Sequence, residues 1–232
     1  MQINIITIFP EIFKEVFETS IIARAQKKGI IKINVYDLRK WTTDNHKTVD
    51  EHPFGGGAGM VMMVEPLYKA VKEITKTNIS KSNRTQSYLE KNRILLTSAK
   101  GQIFNQHKAR ELSSLENITI ICGHYEGIDQ RVTDHIADEE ISIGEYVLSG
   151  GEIPAMIIVD AITRLIPSSL GNPESIQDES FTSDGELEYP QYTRPEVFKT
   201  DEDEVWAVPP TLLSGHHENI KKWKEENKKN RL

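Results

Sequence analysis

The chain has 232 residues, 38% hydrophobic and 27% charged, with a formal net charge of −7 at pH 7. That length suits one medium domain, or a domain of about 150 residues with a smaller one beside it, and no apolar run nears the roughly 20 residues of a membrane helix. The acidic balance speaks against broad, non-specific nucleic-acid binding, which rests on lysine and arginine.

The N-terminal "MQINIITIFPEIF" lacks a basic segment and a small-residue cleavage site, so it reads as a first strand and not as a signal peptide. The lone cysteine, Cys122, has no internal disulfide partner, which fits a reducing cytosol and predicts a cytoplasmic protein. Five Ile/Val-rich runs, "INIITIF", "IIKINVY", "RILLTS", "ITIICG" and "EISI", alternate with helix-length segments and predict an α/β fold with a mostly parallel sheet. Ile12, Phe13, Val16 and Phe17 predict a helix after Pro10 that Gly29 ends. Residues 75–92 are polar and aperiodic, a surface excursion. An apolar helix, "AMIIVDAITRLI", begins near Pro154. Residues 167–195 mix Pro, Gly, Ser and acids and read as a linker to a small C-terminal domain, where Ser214 caps a helix on which Ile220 and Trp223 share a face. Residues 172–204 carry eleven acids against Arg194 and Lys199, whereas 221–232 carry six basic residues against Glu225 and Glu226. The basic end is either a patch for an anionic partner or a solvated tail.

Candidate chemistry gathers in loops. "HPFGGGAGM", residues 52–60, has glycine at 55, 56, 57 and 59, yet matches neither dinucleotide nor Walker phosphate patterns. In open α/β sheets ligands bind beyond the carboxyl ends of strands, and there "TSAKG", "GHYEGID" and "IGEYVLSGGE" bare their backbones with glycines at 101, 123, 127, 144, 150 and 151. The seven histidines and one cysteine show no zinc spacing, and no serine sits in a nucleophile elbow. The reactive candidates are the carboxylate pair Asp178 and Glu179 and the helix-end Arg164, which together could take a proton and steady a developing oxyanion; surface acids beside a helix-end arginine are the plain alternative.

Taken together, "FGGGAGMVMMVEPL", "CGHYEGIDQRV", "SIGEYVLSGGE", "RLIPSSLGN", "YTRPEVF" and "LLSGHHENIKKW" resemble the bacterial tRNA (guanine-N1)-methyltransferase family of the SPOUT superfamily, over nearly the whole chain except residues 75–92. The resemblance implies a SPOUT-type parallel sheet with a deep trefoil knot in an N-terminal domain (1–166), a flexible linker (167–180), a small helical tRNA-binding domain (181–232), and a homodimer with the active site at the subunit interface. It implies S-adenosyl-L-methionine as methyl donor, held by Leu96, Thr97 and Ser98, by Gly123, Tyr125, Glu126 and Gly127, and by Ile143, Gly144, Glu145, Tyr146, Val147, Leu148, Gly150, Gly151 and Pro154. Gly55, Gly56, Gly57, Ala58, Gly59 and Ser214 fall to the substrate. The target is N1 of the guanosine immediately 3′ of the anticodon in tRNA. Asp178 or Glu179 is the general base, and Arg164 stabilises charge on O6. Counting from Gly171 favours Glu179, and residue type favours Asp178. Members of the family use Mg2+ in turnover, and no ligand cluster in this sequence marks a site for it. His124 stands where arginine is common, and Ala99 where proline is frequent. Another SPOUT methyltransferase, or an RNA-binding protein that keeps the fold without catalysis, are the rival readings.

Overall fold

The computed structural model describes residues 1–76, 80–170, 179–181 and 186–230. The chain divides into two compact units, Met1–Gly171 and Asn172–Leu232. In the first, β1 (Gln2–Thr7), β2 (Lys32–Asp37), β5 (Asn92–Ile103), β6 (Asn117–Cys122) and β7 (Glu139–Ser142) form one five-stranded sheet in the order β2-β1-β6-β5-β7, with every pair parallel. These are the five Ile/Val-rich runs.

Parallel strands covered on both faces need apolar side chains in both directions. In β1, Ile3 and Ile5 point into one core and Ile6 into the other; Leu95 of β5 opposes Ile94 and Leu96 in the same way, and Ile118 and Ile120 of β6 oppose Ile121. The first core is closed by α2 (Ser20–Lys27), α5 (Gln106–Ser113) and α7 (Glu152–Leu165), the second by α3 (Val64–Thr75) and α6 (Gln130–His135). Helix α7 buries Ala155, Ile158, Val159 and Ile162.

The expected first helix is broken. A 3-10 turn at Pro10–Phe13 and α1 (Lys14–Phe17) precede α2. Phe13 and Phe17 are buried and stacked at 5.3 Å, whereas Ile12 and Val16 remain roughly half exposed. Gly29 does end α2: its φ of 70° lets its own N–H reach Gln26 O (2.9 Å) and that of Ile30 reach Ala25 O (3.0 Å), satisfying the last carbonyls of the helix.

The polar stretch 75–92 holds more structure than its composition suggests. It contains α4 (Gln86–Leu89), capped by Thr85, and the buried Arg84, whose guanidinium pairs with Asp138 at the start of β7's approach. Asp138 also accepts the Ile94 N–H at 2.7 Å, so the pair joins the excursion to the sheet.

The second unit is not purely helical. Beside α8 (Pro210–Leu213) and α9 (His217–Glu226) it carries two antiparallel pairs, β9 (Val197–Lys199) with β10 (Val205–Ala207), and β8 (Glu186–Leu187) with β11 (Lys229–Asn230). His216, not Ser214, occupies the α9 cap position. Ser214 closes α8 instead, donating to Thr211 O at 2.7 Å and accepting the His216 N–H at 3.3 Å. The ring contacts of this unit include Tyr192 against Trp223, Phe198 against Trp206 and Lys224 over the Tyr189 ring.

Candidate functional site

Three loops leave the carboxyl ends of β5, β6 and β7 and are bonded to one another. Strand β5 pairs with β7 up to Thr97, leaves the ladder, and rejoins it at Gln102. At Gly101 the returning chain lies so close to the backbone of Glu140 and Ile141 that a methyl group there would overlap it. The Thr97 hydroxyl donates to Ile121 O (3.2 Å) and accepts the Gly123 N–H (3.3 Å), tying the first loop to the second. The Gly151 N–H donates to Gly123 O at 2.7 Å, and His124 bridges Gly150, tying the second to the third. Ser142 folds the third loop by donating to Gly144 O at 2.9 Å.

Between these loops lies a cavity of about 370 Å3, within the size range of small-molecule sites. Every residue assigned to the methyl donor lines it except Glu145, which is exposed and outside the lining. Ala99, Lys100, Gln130, Thr133 and Glu140 also line it. Nothing in their spacing announces them, since they flank the glycines that draw attention to these loops. At Gly151 an added Cβ would overlap Thr97 Oγ1 and stand 2.7 Å from Gly123 N and 2.9 Å from Cys122 Cα. Gly151→Ala should therefore destabilise the fold by about 3 kcal/mol, the upper part of the usual overpacking range; urea unfolding measures it, and a loss below about 1 kcal/mol would mean that the loops slide apart freely.

The glycine-rich segment 52–60 forms the tip of a hairpin made by β3 (Asp50–Glu51) and β4 (Val61–Met62). Its four glycines all have positive φ, from 80° to 129°. The tip is exposed, Ala58 included, but its root is bonded to the second cavity loop: Glu126 N–H to Met60 O, Met62 N–H to Gly127 O and Asp129 N–H to Met62 O, each at 3.0 Å. Gly59 packs against the Glu126 side chain with no room for a Cβ. Tyr125 bonds Asp50; burial and then the Asp50 charge push its phenol above the ordinary value, so it stays protonated.

The expected reactive groups are distributed differently. Arg164 occupies the last turn of α7, ten residues beyond Pro154 at the cavity, or about 15 Å along the helix at 1.5 Å per residue. Glu179 is half-buried and belongs to the second unit, Ser214 is exposed there, and Asp178 lies outside the described residues. Among the described residues no group of three His, Cys, Asp or Glu could hold a metal ion. Burial, then the Glu152 charge, push the Cys122 thiol well up, so it is a protonated core group and no nucleophile. A buried group behind the cavity escaped the motif reading: Glu152, which accepts from Thr7 Oγ1 at 2.8 Å and faces His124. In the sequence it is the last residue of "SIGEYVLSGGE", where the glycines and not the acid carry the signal.

The chain is 50% identical over 226 residues to the tRNA (guanine-N(1)-)-methyltransferase of Dictyoglomus turgidum, covering 97% of this chain and 84% of that one. With the protein of the same description from Heliobacterium modesticaldum it shares 49% over 97% and 79% of the two chains, and with that from Staphylococcus haemolyticus 48% over 98% and 86%. The family profile described as tRNA (Guanine-1)-methyltransferase TrmD matches residues 1–232. A parallel sheet ending in three mutually hydrogen-bonded glycine loops, matched end to end by that profile, makes the conclusion direct: the chain belongs to the tRNA (guanine-N1)-methyltransferase family TrmD.

Proposed function

We propose that this chain transfers a methyl group from S-adenosyl-L-methionine to N1 of the guanosine immediately 3′ of the anticodon in tRNA. The observation that carries this reading is the cavity, lined by three successive strand-end loops that contribute five glycines to its wall. Its residues fit the donor: backbone groups for hydrogen bonds to a nucleoside and amino acid, with Leu96, Val147, Leu148 and Pro154 as apolar wall. Bound there, the donor would supply an electrophilic methyl on a sulfonium.

The chain's own residues have two tasks. Guanine N1 carries a proton at neutral pH, so Glu179 or Asp178 accepts it, and Arg164 donates to O6 as negative charge grows there. The exposed glycine hairpin, joined to the second loop, would let the base approach without side chains intervening. The linker expected over 167–180, of which 171–178 lie outside the described residues, would carry the carboxylate pair, and the C-terminal unit with its basic end would meet the tRNA backbone. The tight backbone approaches at Gly101 and Gly151 support the reading that these loops form a trefoil knot.

Two observations support a homodimer with the site between subunits. Phe9, Ile12, Val16, Ile153 and Ile157 are large apolar side chains on neighbouring elements, each roughly half exposed, a pattern that marks an interaction surface. Arg164 also stands about 15 Å along α7 from the cavity of its own chain, so a second copy would supply the arginine. Among the described residues no helix is long and apolar enough to cross a membrane, and a cytoplasmic setting suits a substrate of this kind. Calorimetry with S-adenosylmethionine, followed by methyl-transfer assays on tRNA carrying G or A after the anticodon, tests the reading. Saturable binding and methylation of the G form at N1 are expected; no heat at millimolar donor, or a ribose methyl, would overturn it.

A further inference from the structure

At the cavity wall, the buried Glu152 carboxylate faces the buried ring nitrogen of a partly exposed His124 across a gap. The Glu152 side chain is 5% exposed; its Oε1 accepts from Thr7, and its Oε2 lies 3.8 Å from His124 Nδ1. That ring nitrogen is buried and makes no hydrogen bond among the described residues. The ring is held edge-on between Phe9 at 5.0 Å and Tyr125 at 5.1 Å. Gly150 stands beside the gap, where a Cβ would collide with both His124 Nδ1 and Glu152 Oε2. The missing side chain is thus what allows the two groups to face.

We propose that His124 is a positioning residue for the methyl-donor cavity: its Nδ1–H is directed at the Glu152 carboxylate and locks the second loop onto the first turn of α7. This rests on the cavity being the donor site. A buried carboxylate with one donor and a buried ring nitrogen with none are both costly, and each is the partner the other lacks. A separation of 3.8 Å is too long for a hydrogen bond, and a movement of about 1 Å closes it. Such contacts commonly lengthen without ligand and tighten in the complex. Because His124 lines the cavity and also bridges Gly150, closing the gap draws together the two loops on which the donor would lie. The carboxylate is fixed in turn by Thr7, whose Oγ1 accepts the Phe9 N–H at 3.0 Å. The end of β1 therefore sets where the cavity wall stands.

His124→Leu should weaken S-adenosylmethionine binding about tenfold, with the unfolding midpoint little changed. His124→Asn, whose amide nitrogen sits near the place of Nδ1, should recover most of that loss. Equal weakening in both variants would mean that the ring matters only as bulk and would overturn the proposal. Nitrogen NMR of the imidazole supplies a second reading that needs no variant: a protected proton on Nδ1 is expected in the free chain and, more strongly, with saturating donor. The opposite tautomer in both states would also overturn it. If the unaltered chain binds no donor, the functional reading fails and this inference falls with it; if it binds while His124→Leu binds as well, only this inference fails.

Discussion

Replacing Arg164 by alanine should lower methyl transfer by about 10²–10³-fold, the usual cost of removing one donor aimed at a developing oxyanion, while leaving donor binding intact. The two effects separate because Arg164 lies at the opposite end of α7 from the cavity. The position of the arginine makes a sharper experiment available. Leu148→Arg would put a long cation into the cavity proposed for a sulfonium, at an exposed position where folding is spared. In the proposed homodimer, mixing it with Arg164→Ala chains and letting subunits exchange would give heterodimers in which one cavity is intact and, if the arginine acts across the interface, faces an intact arginine from its neighbour. If the arginine acts across the interface, the two inactive proteins should together regain about a quarter of the unaltered activity, one working site in each of the half of dimers that are mixed. An arginine acting within its own chain predicts no recovery at all.

The largest stability effect is expected at Arg84. Its side chain is fully buried, and that of Asp138 is 5% exposed. Removing one partner of a buried pair leaves an uncompensated charge and costs about 3–5 kcal/mol, a large share of the 5–15 kcal/mol typical of a folded domain. Arg84→Ala should therefore lower the urea midpoint severely. The pair Arg84→Met with Asp138→Asn removes both charges and keeps an acceptor for the Ile94 N–H, so it should be more stable than Arg84→Ala alone. A single variant within about 1 kcal/mol of the parent would show that water reaches the carboxylate.

The strands were readable because parallel strands covered on both faces leave an uninterrupted β-branched signature, and "ITIIC" has no other comfortable place. Gly29 was readable because a left-handed cap has few alternatives. Elsewhere one residue type served several physical roles. Glycines 101 and 151 answer to chain packed on chain, whereas Gly127 has open space where a side chain would go, and spacing alone cannot separate those demands. Ile12 and Val16 carry the same periodic signal as Phe13 and Phe17, yet only the phenylalanines reach the core. Arg84 was hidden in a polar, aperiodic stretch, because the acid that draws it inward lies 54 residues further on. Glu152 and His124 sit in the quoted motifs, but their facing depends on the sheet bringing the ends of β1, β6 and α7 together. The division of labour between Asp178 and Glu179 rests on resemblance alone.

Sheet order has a consequence for biosynthesis. Strand β1 pairs on one side with β2, available almost at once, and on the other with β6, beginning at Asn117. At about 5–20 residues per second, the ribosome needs several seconds to deliver that second partner. Until then one edge of β1 lacks its native partner, and Ile3, Ile5 and Ile6 lack much of the cover they have in the folded chain, an exposure that would favour clumping with neighbours on a polysome. The nascent chain would thus gain most from a holding chaperone before β6 has been translated.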